Sequence, residues 1–288
     1  MHYISKNYNE AFKYCKRAAE EGISDAQFTL GLMYYDGQGV KQDYQEAFNW
    51  HQKAAEQGDV YAQHILGAMY KEGSVVKQNF FKAVDFFQKS ANQGYAAAQY
   101  DLGLMYYNGE GVKQDYFKAI EWYQKAAAQG IADAQAYLAV MYYSGEGVQQ
   151  DYFKAAELAK KVADQGYAEA QFCLGAMYYA GKGVKQDYTE ARRWIEKAAE
   201  QGLADAQYFA GLMYASGKGV KQDYFKALEW YKKASEQGYA EAQYNLGTMY
   251  YTGKGVIRDY KKAKRWWRLA ADQGNENAQK TLVKLFGR

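Results

Sequence analysis

The chain contains no proline, two cysteines and three histidines among its 288 residues. A chain of this length with average composition carries about 14 prolines. Their absence, beside 28 glycines, excludes collagen-like repeats and disordered linkers and argues against most all-β folds. Helix can follow helix, with glycine ending each one. Cys15 and Cys173 lie far apart and offer neither a metal spacing nor a disulfide framework. His2, His51 and His64 share no spacing that builds a triad or a metal set. No cofactor or metal is therefore expected. An excess of one charge is also missing, with 36 basic against 33 acidic residues. That argues against nucleic acid as a partner, because phosphate contacts need a clustered positive face. The longest apolar run, Ala136 to Tyr143, is far short of the ~18 residues of a bilayer span, so no membrane insertion is expected. The opening MHYISKNYNE lacks the apolar stretch of a secretory leader. The expected location is cytoplasmic, or periplasmic or secreted if a leader has been removed.

What the chain does have is a period. Ala-Gln recurs at Ala26, Ala62, Ala98, Ala134, Ala170, Ala206, Ala242 and Ala278, always 36 residues apart. Every glycine but Gly287 then falls in one of four columns, beginning at Gly22, Gly31, Gly37 and Gly39. Each unit reads as two helices. The first spans about Ser24 to Asp36, with Ala26, Gln27, Leu30, Gly31, Met33 and Tyr34 on a helical stripe. Gly31 sits inside it at a cost of ~1 kcal/mol relative to Ala, which predicts close approach of a neighbouring helix. Gly37 and Gly39 turn the chain, Val40 anchors the loop, and Asp43 is placed to cap the second helix. That helix carries Tyr44, Ala47, Trp50, Ala54 and Ala55 on one face, and Gly58 closes it.

Neither helix can bury its stripe alone, so stacked units must share a core. The expected fold is an all-α solenoid of stacked antiparallel helix pairs, sixteen helices in all. Residues 1–22 read as an orphan second helix, 23–274 as seven full repeats and 275–288 as a C-terminal capping helix bearing Lys280, Lys284 and Arg288. The unpaired opening helix suggests that a first-type helix precedes it.

The recurring A-x-x-x-L-G-x-M-Y-x-x-G-x-G-V-x-x-D-Y-x-x-A-x-x-W-x-x-K-A-A-x-x-G resembles the Sel1-like repeat, a relative of the tetratricopeptide repeat. Departures are local: Val75 and Ala139 replace column glycines, Leu158 replaces the tryptophan, and Ile257-Arg258 replaces Lys-Gln. The resemblance implies a right-handed superhelix and a non-enzymatic scaffold or adaptor binding a protein or peptide. It also implies alternatives: a host-interaction factor or a toxin-neutralising immunity protein. The regular Gly-Val-Lys-Gln-Asp-Tyr loops look bacterial. Self-association through exposed helix faces, giving a homo-oligomer, is a further possibility.

Positions that vary within the framework are read as free to bind. In the first helix these are the columns starting at Asp25, Phe28, Thr29, Leu32, Tyr35 and Asp36. In the tetratricopeptide family the matching columns line a concave groove. The carry-over gives candidate groove residues Phe28, Leu32, Tyr35, Tyr100, Leu104, Tyr107 and Asn108, then Tyr143, Phe172, Tyr179, Tyr208, Leu212, Tyr244 and Tyr251. Tyrosine and phenylalanine offer large contact area at low entropic cost. The Tyr35 column either faces a ligand or closes the loop; pattern alone leaves both open. Lys71 is the one basic residue of the Phe28, Leu32, Tyr35 and Asp36 columns from Phe28 to Thr252. An apolar or aromatic segment therefore fits better than an acidic tail.

A second candidate is a basic docking patch of Arg258, Lys261, Lys262, Lys264, Arg265 and Arg268, read as crowding one second-type helix beside Trp266 and Trp267. It would suit an acidic partner or an anionic membrane surface; the plainer reading is a solvated terminal face. No catalytic constellation is found. Ser74-Val75-Val76-Lys77 matches a Ser-x-x-Lys motif, but it is a slipped copy of the ordinary loop without companion motifs.

Overall fold

The computed structural model describes residues 2–287, with side chains from Asn7 onward, so the side chains of His2 and Arg288 lie outside it. Sixteen helices follow one another, and no strand occurs among the described residues. The first-type helices are α2 (Ser24–Asp36), α4 (Val60–Glu72), α6 (Ala96–Asn108), α8 (Ala132–Ser144), α10 (Ala168–Ala180), α12 (Ala204–Ser216), α14 (Ala240–Thr252) and α16 (Glu276–Phe286). The second-type helices are α1 (His2–Glu20), α3 (Tyr44–Glu56), α5 (Phe80–Asn92), α7 (Tyr116–Ala128), α9 (Tyr152–Asp164), α11 (Tyr188–Glu200), α13 (Tyr224–Glu236) and α15 (Tyr260–Asp272).

Helix ends follow local chemistry. Asp43 accepts from the N–H groups of Gln45 and Glu46, each at 3.0 Å, which satisfies donors that a helix start leaves unpaired. Asn79, Asp115, Asp151, Asp187, Asp223 and Asp259 cap their helices in the same way. Gly37 adopts the left-handed conformation at φ 71° that stops α2. Gly39 does more than turn the chain. A Cβ there would lie 2.2 Å from the carbonyl oxygen of Tyr8, and one at Gly219 would lie 2.0 Å from that of Tyr188. At Gly111, Gly147, Gly183, Gly219 and Gly255 the loop presses on the first residue of the preceding second-type helix.

The glycine inside the first helix is explained by a side chain of its paired helix. A Cβ on Gly31 would meet the His51 ring at 2.6 Å; on Gly67 it would meet Phe87, and on Gly103 Tyr123. Gly175, Gly211 and Gly247 are filled likewise by Ile195, Tyr231 and Trp267. This overturns the reading of varying positions as free. His51, Phe87, Tyr123, Ala159, Ile195, Tyr231 and Trp267 vary widely between repeats, yet all are buried. Each is fitted to its own surroundings, as close packing requires.

The helices form two units. One comprises residues 1–141 and 145–149, the other 142–144 and 150–288. The first is built on Leu30 with Trp50, Leu66 with Phe48, and Leu102 with Phe87. The second is built on Leu174 with Trp194, Ile195 with Met213, Leu246 with Tyr231, and Trp267 with Leu282. Each fully buried leucine contributes about 1.5–3 kcal/mol.

Candidate protein-binding face

The Phe28 column lies directly over the buried column just described. Phe28 and His51 have ring centroids 5.5 Å apart, Tyr100 and Tyr123 6.0 Å, and Tyr208 and Tyr231 6.0 Å. One side of each ring therefore faces the core and the other remains accessible, so Phe28, Tyr100, Phe172, Tyr208 and Tyr244 are half-buried. Leu32, Leu104 and Leu212 are also half-buried, and Leu212 packs on the core of its unit. These columns are thus a layer between core and surface rather than a wholly free face.

The columns starting at Asp25 and Thr29 supply rings that the candidate residues did not include. Tyr61 is 49% exposed and lies 5.8 Å from Phe28 and 5.2 Å from Tyr95, which lies 5.1 Å from His64. Tyr137 stacks on Tyr123 at 5.1 Å and touches both Tyr100 and Tyr107. Burial, with the neighbouring Tyr137, pushes the Tyr100 and Tyr123 hydroxyls far above the ordinary phenol range. They stay neutral at physiological pH. In the second unit Phe209 meets Phe172 at 5.3 Å and Tyr208 at 5.7 Å, and Tyr208 meets Tyr239 at 5.1 Å. Aromatic identity at these positions recurs too irregularly for pattern to single it out.

One polar cluster interrupts the rings. Asp101 receives His64 Nε2 at 2.8 Å on Oδ2, and Lys71 Nζ lies 3.8 Å from Oδ1. His64 and Lys71 each replace a ring in a mostly aromatic column, and they converge on one carboxylate. Their distance in sequence hid the link.

The Tyr35 column closes loops. Tyr35 packs edge-on against Tyr44, Tyr143 against Tyr152, Tyr179 against Tyr188 and Tyr251 against Tyr260, all at 5.0–5.3 Å. Tyr107 meets Tyr116 in the same way and donates to Glu146 at 3.3 Å. Lys182 reaches the Tyr143 hydroxyl and Lys218 that of Tyr179, which raises both ammonium pKa values. Tyr35 and Tyr143 nevertheless remain exposed, as does Asn108, which reaches Glu110.

A family model described as the Sel1 repeat matches residues 2–23, 24–59, 60–95, 96–131, 132–167, 168–203, 204–239 and 240–275. The chain belongs to the Sel1 repeat family. A protective antigen of uropathogenic Escherichia coli with the same repeat fold is 40% identical over 98% of this chain, with a TM-score of 0.93. This chain spans 60% of that protein's length. A Sel1 repeat protein of Oxalobacter formigenes is 38% identical over 98% of this chain and 81% of its own, with a TM-score of 0.76. Comparison with curated proteins gave no match. Sel1 repeat arrays are scaffolds typical of protein–protein interaction and are generally not enzymes.

Within the Sel1 array the six basic candidates do not form one patch, because successive residues on a helix point about 100° apart. Arg258 precedes α15 and reaches Tyr260 and the Thr252 carbonyl, while Lys262 leans on Asp259 and the Tyr250 ring. Lys261, Lys264, Arg265 and Arg268 instead surround a shallow hollow of about 300 Å³ floored by Leu269, and Lys264 lies over Phe286. Among the described residues, no group of three or more His, Cys, Asp or Glu is placed to hold a metal ion. No helix is long and apolar enough to cross a membrane.

Proposed function

We propose that this Sel1 repeat chain is a non-enzymatic scaffold whose first-type helices hold an extended apolar or aromatic segment of a partner protein. The observation that carries this reading is the ring row Phe28, Tyr61, Tyr95 and His64. Its members touch in sequence at 5.8, 5.2 and 5.1 Å, and Tyr61 is left 49% exposed. Rings held by core packing on one side present large, rigid area on the other, the arrangement that binding hot spots favour. The His64–Asp101–Lys71 cluster adds a polar mark that would fix the register of a bound segment.

The test is photo-crosslinking. A benzoyl-phenylalanine in place of Tyr61 is expected to capture a discrete partner, and the same probe in place of Tyr14, an exposed residue of α1, is not. In the chain that carries the probe at position 61, Leu32→Ala with Leu104→Ala should abolish capture without loss of helicity by circular dichroism. Equal capture from both probe positions, or capture unaffected by the double variant, overturns the reading.

A further inference from the structure

Phenylalanine recurs in the first turn of second-type helices at Phe81, Phe117, Phe153 and Phe225, and each is 71–78% exposed. A ring this exposed contributes nothing to the core. In the two repeats nearest the C-terminus this apolar edge acquires a strong charge. Exposed Lys221 and Lys226 flank Phe225. In the following repeat the usual loop lysine is replaced by Ile257, which is 89% exposed, among exposed Lys254, Arg258, Lys261 and Lys262.

The two tips are held side by side by backbone. Gly255 approaches Tyr224 so closely that a Cβ would sit 2.4 Å from its carbonyl oxygen, and Lys254 lies over the Tyr224 ring. Phe225 is the next residue, and Ile257 is two beyond Gly255. The acids of these segments, Asp223 and Asp259, are N-caps engaged by backbone N–H groups. Segments 217–226 and 253–262 carry net charges of +2 and +3, whereas the equivalent 109–118, which holds Phe117, is neutral.

We infer that this edge docks on an anionic membrane surface, with Phe225 and Ile257 entering the interface and the cations resting on the headgroups. Charge complementarity and protrusion argue for this occupant. Isolated apolar tips can enter a fluid interface without a matching pocket, and a basic ring around them suits acidic lipid. Each cation near such a surface contributes roughly fivefold in affinity. The mode is peripheral and needs no spanning helix.

The intact chain should sediment with vesicles of phosphatidylcholine containing about 30% phosphatidylserine and not with phosphatidylcholine alone. Phe225→Ser with Ile257→Ser should weaken binding about tenfold or more, since burying each side chain is worth at least that factor. Phe117→Ser should leave binding unchanged. Failure to bind the acidic vesicles overturns the inference. So does binding insensitive to the double variant, which would be simple adsorption of charge. Equal binding to polyglutamate, competing with vesicles and indifferent to the two serines, would instead assign the edge to an acidic polypeptide.

Discussion

Gln57 Nε2 donates to Gln27 Oε1 at 2.8 Å, and the same nitrogen donates to the carbonyl of Gly22 at 3.0 Å. Gln27 in turn donates to the carbonyl of Ala19. Two glutamines thus tie α1, the turn after it, α2 and the end of α3. The latch recurs as Gln93 on Gln63, Gln129 on Gln99, Gln201 on Gln171, Gln237 on Gln207 and Gln273 on Gln243. It explains why Ala-Gln marks the period: alanine packs where nothing larger fits, and glutamine is the donor and acceptor that joins successive second-type helices.

Replacing Gln99 by Leu should destabilise the chain by about 1–3 kcal/mol. Two hydrogen bonds go: the Ala91 carbonyl keeps the Gly94 N–H but loses the Gln99 amide, and Gln129 keeps the Gly94 carbonyl but loses the Gln99 oxygen. A double-mutant cycle with Gln129→Leu in urea unfolding measures the link. Once Gln99 is gone, the second substitution should cost markedly less. Purely additive losses would show that the two glutamines act separately.

Gly103→Ala tests the fitted column. On an exposed helix this change stabilises by about 1 kcal/mol through propensity. Here the new methyl would lie 2.7 Å from the Tyr123 ring, and overpacking of this kind costs about 1–3 kcal/mol. The sign of the stability change is the readout. A gain in melting temperature would mean that the ring can yield.

The repeat register, the helix count and the aspartate caps were legible in sequence because each is local chemistry. A left-handed glycine and a carboxylate at a helix start need no distant partner. The His51 column was not legible. Its residues range from Ala159 to Trp267, and variation looks like freedom when each position is read alone. Packing conserves the filled volume of a layer, not the identity of one member. The candidate face was half legible for a related reason. Pattern located the Phe28 column but missed Tyr61, Tyr137 and Phe209, whose role depends on rings of other repeats.

Tyr123→Phe should be neutral or stabilising by up to about 1 kcal/mol. The hydroxyl is buried without a hydrogen-bond partner among the described residues, and Phe87 fills the same column one repeat earlier. Removing an unsatisfied polar group recovers its desolvation cost. Thermal melts of the variant decide the matter, and a loss above about 1 kcal/mol would reveal a hydrogen bond that the hydroxyl makes in solution.

His51 makes stability depend on pH. Its ring is wholly buried beside Phe28, and neither nitrogen has a partner among the described residues. Burial holds the imidazole neutral and lowers its pKa from 6.5 to about 4. The unfolded chain takes up the proton below about 6.5, and the folded chain resists until about 4. The contribution of this group to stability is therefore complete above pH 6.5, declines as pH falls toward 4 and is constant below. The full difference is about 3 kcal/mol. His51→Phe keeps the volume of the ring and removes the proton site. Melts of both proteins at pH 7.5 and 4.5 should show the wild type losing about 2–3 kcal/mol more than the variant over that interval. Parallel losses would mean that α3 opens to water around His51 before the remainder of the unit unfolds.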